Sequence, residues 1–347
     1  MKRRIRLLLL IVITLYIINF APIDTLLETA PVPVAAAEQS TTLVKNPFPL
    51  ILDSKTVDYM SYVPEIKCSS SVKEALSIEK PSIKVEAASA MLLNSDGNVL
   101  YYKYVLKPVF PGSTAKLLTA LVAVDWCSMK DEIKVGKEVG MITEDASVAG
   151  LKKGEVLNTS TLLSAMLLPS GNDAAYVMAA YVGRKSLKNP KASCEAAINE
   201  FVRLMNEKAK ELGAENSCFI TPDGYDAIGQ YTTTYDLGMI GLAASKSKII
   251  TGITKKRVIS VNLISGEKLT WENTNLLLNR NSEWYNPNVI GLKTGTTTMA
   301  GKCLISAAKN DQGTVISIVM NSTSKGRWSD SNKLLNYALK TLKLIVR

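Results

Sequence analysis

Residues 289–320 read VIGLKTGTTTMAGKCLISAAKNDQGTVISIVM. Three short runs, Val289 to Thr296, Lys302 to Ala308 and Thr314 to Met320, are rich in apolar and β-branched residues and joined by brief turns, the pattern of consecutive strands. A matching signal stands far upstream. Ala87 to Leu93 and Val99 to Tyr104 flank Asn94-Ser95-Asp96-Gly97-Asn98, whose residues favour a hairpin turn. The chain between is helical in character: Thr114 to Val124, Thr161 to Leu168, Asp173 to Val182, and an amphipathic run from Cys194 to Leu212 that stops at Gly213. Asp330 to Ile345 reads as a last helix. Strands near both ends and helices between them predict an α/β (α+β) fold, with an antiparallel sheet of about five strands closed by the first and last segments and a helical insert.

The composition narrows the chemistry. Among 347 residues there is no histidine, which excludes Ser-His-Asp and Cys-His machinery and two-histidine zinc signatures. Any general base must then be a lysine or a carboxylate. Cys68, Cys127, Cys194, Cys218 and Cys303 are scattered singly, which gives neither a zinc signature nor a disulfide framework, and most are expected as small buried apolar residues. No metal or cofactor is expected. The net charge of +10 suits anionic wall polymers or lipid head groups. No basic run with interleaved aromatics points to nucleic acid.

Lys2, Arg3, Arg4 and Arg6 precede an unbroken apolar stretch, Leu7 to Ile18, the form of an export signal. Ala35-Ala36-Ala37 offers a small-residue cleavage site; uncleaved, the segment would serve as a membrane anchor with its basic end inside. The expected organisation is therefore 1–37 signal or anchor, 38–84 arm, and 85–347 a single outward-facing domain.

Three motifs carry chemistry. In Pro111-Gly112-Ser113-Thr114-Ala115-Lys116 the lysine lies one helical turn after the serine and can reach its hydroxyl. The positive end of the helix dipole and any second nearby cation would disfavour its charge and let it act as base. Ser-x-x-Lys occurs seven times in the chain, but only Ser113 has Pro-Gly before it and a long apolar helix behind it. The second motif, Ser170-Gly171-Asn172, sets a hydroxyl and a carboxamide on a turn between two helices, where one could relay protons and the other hold a peptide carbonyl. The third, Lys293-Thr294-Gly295-Thr296, would place Lys293 and Gly295 on one face of a strand and Thr294 on the other. Gly295 would let a substrate backbone approach, and the lysine and threonine would bind a carboxylate.

In this order the three resemble the signatures of penicillin-binding proteins and serine β-lactamases. Leu167 to Ala175, Met205-Asn206-Glu207-Lys208-Ala209, Tyr231-Thr232-Thr233, Asn273 to Leu277 and Gly291 to Gly295 resemble the low-molecular-mass D-alanyl-D-alanine carboxypeptidases (peptidase S11-like), over about residues 86 to 345. The resemblance implies a β-lactamase/transpeptidase-like fold and an acyl-enzyme on Ser113, with Lys116 as base and Ser170 passing the proton to the leaving amine. Asn172 would hold the donor peptide, Lys293 and Thr294 the terminal carboxylate, and the N–H groups of Ser113 and Thr296 would line an oxyanion hole. It implies partners as well: peptidoglycan stem peptides ending in D-Ala-D-Ala, and β-lactams as covalent inhibitors. Gly112 stands where the family usually has Ala, and Thr296 where it commonly has a bulky residue. Many members carry a further β-rich domain and a C-terminal anchor, so here anchoring would fall to the N-terminal segment.

Two rivals share the fold. A class A β-lactamase needs a water-activating glutamate; Glu195-Ala196-Ala197-Ile198-Asn199 imitates that motif but lies only 25 residues after Ser170 and within an amphipathic helix. A catalytically silent wall-binding scaffold would keep the fold without the turnover. A phosphate loop at Gly295 to Cys303 fails on spacing and on Cys303.

Overall fold

The computed structural model describes residues 63–263 and 266–345. The expected export segment and the arm as far as residue 62 lie outside the described residues. From residue 63 the arm lies against the domain: Lys67 N–H donates to Asn216 Oδ1 at 2.7 Å and Asn216 Nδ2 donates back to Lys67 O at 2.9 Å. A short helix α1 (Ser70–Ala75) follows.

The hairpin β1 (Ser89–Asn94) and β2 (Val99–Lys103) comes next, then β3 (Pro108–Val109). A 3-10 turn at Gly112–Ala115 leads directly into α2 (Lys116–Trp126). The two-stranded β4 (Glu132–Lys134) and β5 (Val156–Asn158) precede α3 (Thr159–Leu167), α4 (Asn172–Ser186) and α5 (Cys194–Glu211). After β6 (Thr232–Thr233) come α6 (Thr234–Lys246) and α7 (Lys248–Thr254), the hairpin β7 (Val258–Asn262) and β8 (Lys268–Glu272), the strands β9 (Val289–Thr297), β10 (Gly301–Asn310) and β11 (Gly313–Ser322), and finally α8 (Gly326–Ile345).

The five-stranded sheet runs β2-β1-β11-β10-β9, all antiparallel, with Ser89 opposite Met320 where first and last segments meet. Its central strands are buried on both faces, and the period of two assigns each face a core. Met91, Leu93, Ile316, Ile318 and Met320 join the large core with α2 and α6, while Ala90, Leu92, Val315 and Val319 join a second core with Trp328, Leu334, Leu335 and Leu339 of α8. Each of those four large α8 side chains contributes about 1.5–3 kcal/mol on burial, which fixes the closing helix on the sheet.

That helix starts four residues before the expected Asp330, because the Thr323 hydroxyl accepts the Gly326 N–H at 2.8 Å. Asp330 is fully buried instead, and accepts the N–H groups of Glu86 and Ala87 at 2.8 and 2.9 Å. The sequence reading missed α6, α7 and the β7–β8 hairpin. Gly238 and Gly241 depress the helical propensity of α6, which packing against β1 and β11 overrides. The cysteines depart from expectation too: all five are free, but only Cys127 and Cys303 are buried, the rest half-buried. Among the described residues no helix is long and apolar enough to cross a membrane.

Candidate active site

Ser113 belongs to the 3-10 turn and Lys116 is the first residue of α2. In a 3-10 turn residues three apart eclipse, so the spacing brings the side chains together more directly than an α-helical turn would. Lys116 Nζ donates to Ser113 Oγ at 2.9 Å, to Asn172 Oδ1 at 2.7 Å and to Asp223 O at 3.0 Å. Once neutral, the amine still has two N–H groups for the two carbonyl acceptors and a lone pair left for the serine proton. Lys116 is fully buried, and burial pushes its pKa down to about 8 against the pull of Asp223 and Asp173. Desolvation thus outweighs both carboxylates.

The turn before α4 brings in the second motif. Ser170 has φ +68°, a left-handed conformation that costs a non-glycine residue roughly 1–2 kcal/mol. What holds it is Asp173, buried at the start of α4. Its carboxylate accepts N–H groups from Ala149 at 2.8 and 3.0 Å, Gly150 at 2.9 Å, Leu151 at 3.1 Å and Ala174 at 2.9 Å. Asn172 N–H donates to Ser147 O at 2.8 Å, so the 145–151 loop and the turn form one unit. Asp173→Ala would strand these buried donors; a loss of about 3–4 kcal/mol is expected, visible as a melting temperature about 10 °C lower. Ser170 itself is nearly buried, and its hydroxyl makes no hydrogen bond with Ser113, Lys116 or Lys293.

The third motif lies on β9, the outer strand of the sheet, whose free edge can take an extended peptide. A Cβ on Gly295 would stand 3.2 Å from Thr114 Cγ2 and 3.4 Å from Pro111 O, so the bare Cα admits the nucleophile turn itself rather than only substrate. On the other side of that turn, a Cβ on Gly224, whose φ is +80°, would lie 2.0 Å from Gly112 O. The two glycines clamp the Ser113 turn between β9 and the loop that supplies Asp223 O.

Lys293 is buried, with Nζ donating to Thr294 O at 3.0 Å and lying 3.4 Å from Thr294 Oγ1. The Thr294 and Thr274 hydroxyls share a hydrogen bond of 2.6 Å. Burial, then Lys116 and Arg327, hold the Lys293 pKa well below its ordinary value. Arg327, on the first turn of α8, was not anticipated. Its Nη1 donates to Thr296 Oγ1 at 3.1 Å and lies 3.5 Å from Gly295 O, while its buried Nε has no partner among the described residues. Neither Lys293 nor Arg327 has an ion-pair partner among the described residues, which leaves two neighbouring basic groups with no carboxylate paired to them.

Of the residues expected from the motifs, Ser113, Asn172 and Thr296 line a cavity of about 370 Å³, together with Thr297, Thr298, Asp145 to Ser147 and Tyr225, while Lys116, Ser170, Lys293 and Thr294 are not in its lining. Tyr225 donates its hydroxyl to both Asp145 oxygens at 2.8 Å. Asp223 O, Tyr225 and Asp145 escaped the sequence reading, since a main-chain carbonyl leaves no side-chain signature. The false deacylation motif is excluded from the site: Glu195 is exposed in the first turn of α5.

The constellation can deprotonate a serine with an amine and receive an anion beside it. A family profile described as D-alanyl-D-alanine carboxypeptidase (peptidase S11) matches residues 74–324. The D-alanyl-D-alanine carboxypeptidase DacF of Bacillus subtilis is 32% identical over 259 residues, which cover 73% of this chain and 62% of that protein, so the chain spans less than two thirds of that relative. The D-alanyl-D-alanine carboxypeptidase of Streptomyces sp. strain K15 is 32% identical over 273 residues, covering 76% of this chain and 90% of that one. The crystal structure of the Streptomyces K15 DD-transpeptidase superposes with a TM-score of 0.67 at 31% identity, over 76% of this chain and all of that one.

Proposed function

The chain belongs to the D-alanyl-D-alanine carboxypeptidase family of serine peptidases, and from that membership we propose that it removes the terminal D-alanine from peptidoglycan stem peptides through an acyl-enzyme on Ser113. The observation that carries the reading is the Lys116 amine, 2.9 Å from Ser113 Oγ and fully buried. Lys116 takes the hydroxyl proton as Ser113 Oγ attacks the penultimate D-alanine carbonyl. The tetrahedral oxyanion meets the N–H groups of Ser113 and Thr296, and collapse expels D-alanine as its nitrogen gains a proton by way of Ser170. Asn172 fixes the donor backbone, which lies along the free edge of β9; Lys293, Thr294 and Arg327 hold the terminal carboxylate. Water then releases the shortened peptide. A β-lactam enters by the same attack and acylates Ser113.

The deacylating-glutamate rival has no carboxylate at the place its motif predicted. The silent scaffold is disfavoured because the buried amine, costly to desolvate, is aimed at the serine. Export is part of the proposal and rests on the basic residues 2–6 and the apolar run 7–18; cell-wall maturation and shape would be its setting, and membrane contact, if the segment stays, would come through it.

The test is D-alanine release from a short peptide ending in D-Ala-D-Ala, together with covalent labelling by a fluorescent penicillin. Absence of both would end the proposal. Because the neutral amine is the active form, acylation should fall about tenfold per pH unit below pH 8 and level off above it. The same shift makes stability pH-dependent. Between pH 8 and the unfolded value of 10.5 the unfolded chain binds the extra proton, so stability should rise with pH across that window and stay flat, as regards this group, below it.

A further inference from the structure

At the far edge of the sheet, a groove of about 920 Å³ runs between the arm and β2, lined by residues 80–85 on one side and 101–107 on the other. Four of the described lining residues are lysines, Lys80, Lys84, Lys103 and Lys107, and none is acidic. Lys103 is occupied, donating to Val85 O and Ala87 O at 3.1 and 2.7 Å. Lys80, Lys84 and Lys107 are exposed and have no ion-pair partner among the described residues. Lys80 Nζ lies 4.5 Å above the Tyr102 ring, which keeps a cation and an aromatic face side by side. Tyr104 is 69% exposed and holds a left-handed φ of +47°, a conformation that non-glycine residues rarely adopt.

We propose that this groove is a second binding site for the polymeric substrate: a glycan strand bearing carboxylates, held by Lys80, Lys84 and Lys107 and stacked by a sugar ring on Tyr104. The inference rests on the catalytic reading above and extends it from the peptide to the polymer that carries it. Three cations with no carboxylate among them call for an anionic occupant. The exposed aromatic ring favours a pyranose, whose C–H face stacks on it, over a flexible polyol phosphate. Concavity fits a strand and not a bilayer surface.

Reach is also suitable. β2 and β9 are separated by four strand spacings, about 19 Å, so one polymer could occupy the groove and the cleft together. The groove wall continues through β3 into the turn that carries Ser113, only six residues beyond Lys107. A polymer held here would raise the local concentration of stem peptides at the cleft without altering the chemistry on any one of them.

The test compares the full chain with the triple variant Lys80→Glu, Lys84→Glu, Lys107→Glu and with Tyr104→Asn, which tolerates the left-handed backbone. Two quantities are measured: co-sedimentation with insoluble peptidoglycan stripped of protein and phosphate polymers, and D-alanine release from a short soluble peptide. Retention by the stripped peptidoglycan should fall roughly tenfold in the triple variant and be weakened by salt in the parent, while short-peptide release stays within about twofold. Unchanged retention would overturn the proposal. So would a parallel fall in short-peptide release, or retention by the parent only while phosphate polymers remain attached. If the parent releases no D-alanine, the catalytic reading fails by itself, and the sedimentation result still decides the groove.

Discussion

Ser113→Ala should abolish covalent penicillin labelling, and Lys116→Met should lower acylation by roughly 10³-fold while leaving the serine in place. The second variant is the more informative. With no histidine in the sequence, loss of the amine removes the only base hydrogen-bonded to Ser113 among the described residues: Asn172 and Asp223 present carbonyl oxygens to the amine, and these are poor proton acceptors. Methionine fills similar space and removes a group that resists burial, which stabilises, but strands Asn172 Oδ1 and Asp223 O, which destabilises. The two effects oppose, so the melting temperature should move little against the large kinetic loss. Acylation rates measured by fluorescent penicillin, alongside thermal unfolding, separate the outcomes. A Lys116→Met protein that labels within about tenfold of the parent would transfer the role of base elsewhere.

Arg327→Gln should lower kcat/KM for a peptide ending in D-Ala-D-Ala by about 100-fold, an effect of about 2.7 kcal/mol. Here the physical signal is positive charge without an ion-pair partner among the described residues. Lys293 and Arg327 repel each other, both pKa values are held below their ordinary ranges by burial, and no carboxylate of the described residues pairs with either. An arrangement that costs stability in the free protein would be relieved when an anion enters, and in the proposed reaction the substrate's carboxylate would be that anion. Two further expectations follow from this account. The variant should differ little in stability from the parent, since loss of a like charge and an orphaned Nε offsets loss of the guanidinium stacked 4.2 Å from the Trp328 ring centroid. A peptide with a C-terminal amide should be a poor substrate for the parent and equally poor for the variant. Steady-state kinetics on the acid and the amide decide it: a variant that still prefers the acid would place carboxylate recognition on Lys293 and Thr294 alone.

How far these residues could be read in advance depended on whether they share a local element. Ser113 and Lys116 were legible because three residues in one tight turn fix their relation whatever surrounds them. Ser170 and Asn172 were legible as a turn, yet only the Lys116 contact at 2.7 Å shows that Asn172 belongs to the same site. Arg327 lies 34 residues beyond Lys293, on a different element, and no spacing rule connects a strand to the helix that follows two strands later. The five-stranded sheet was read from its short apolar, β-branched runs and the turns between them, while α6 was missed because its glycines obscure the helical period.

The sequence alone determined that no imidazole could be the base, that strands near both ends would meet in one antiparallel sheet, and where three short motifs with reactive side chains lie. These follow from local rules: residue type, period and turn spacing act over a few bonds. The tertiary structure decided the rest. Burial sets the Lys116 pKa near 8, packing around two glycines seats the nucleophile turn against β9, and chain return places Arg327 beside Thr296. Desolvation and charge coupling depend on what surrounds a group in space, and that environment is assembled from residues far apart in the chain.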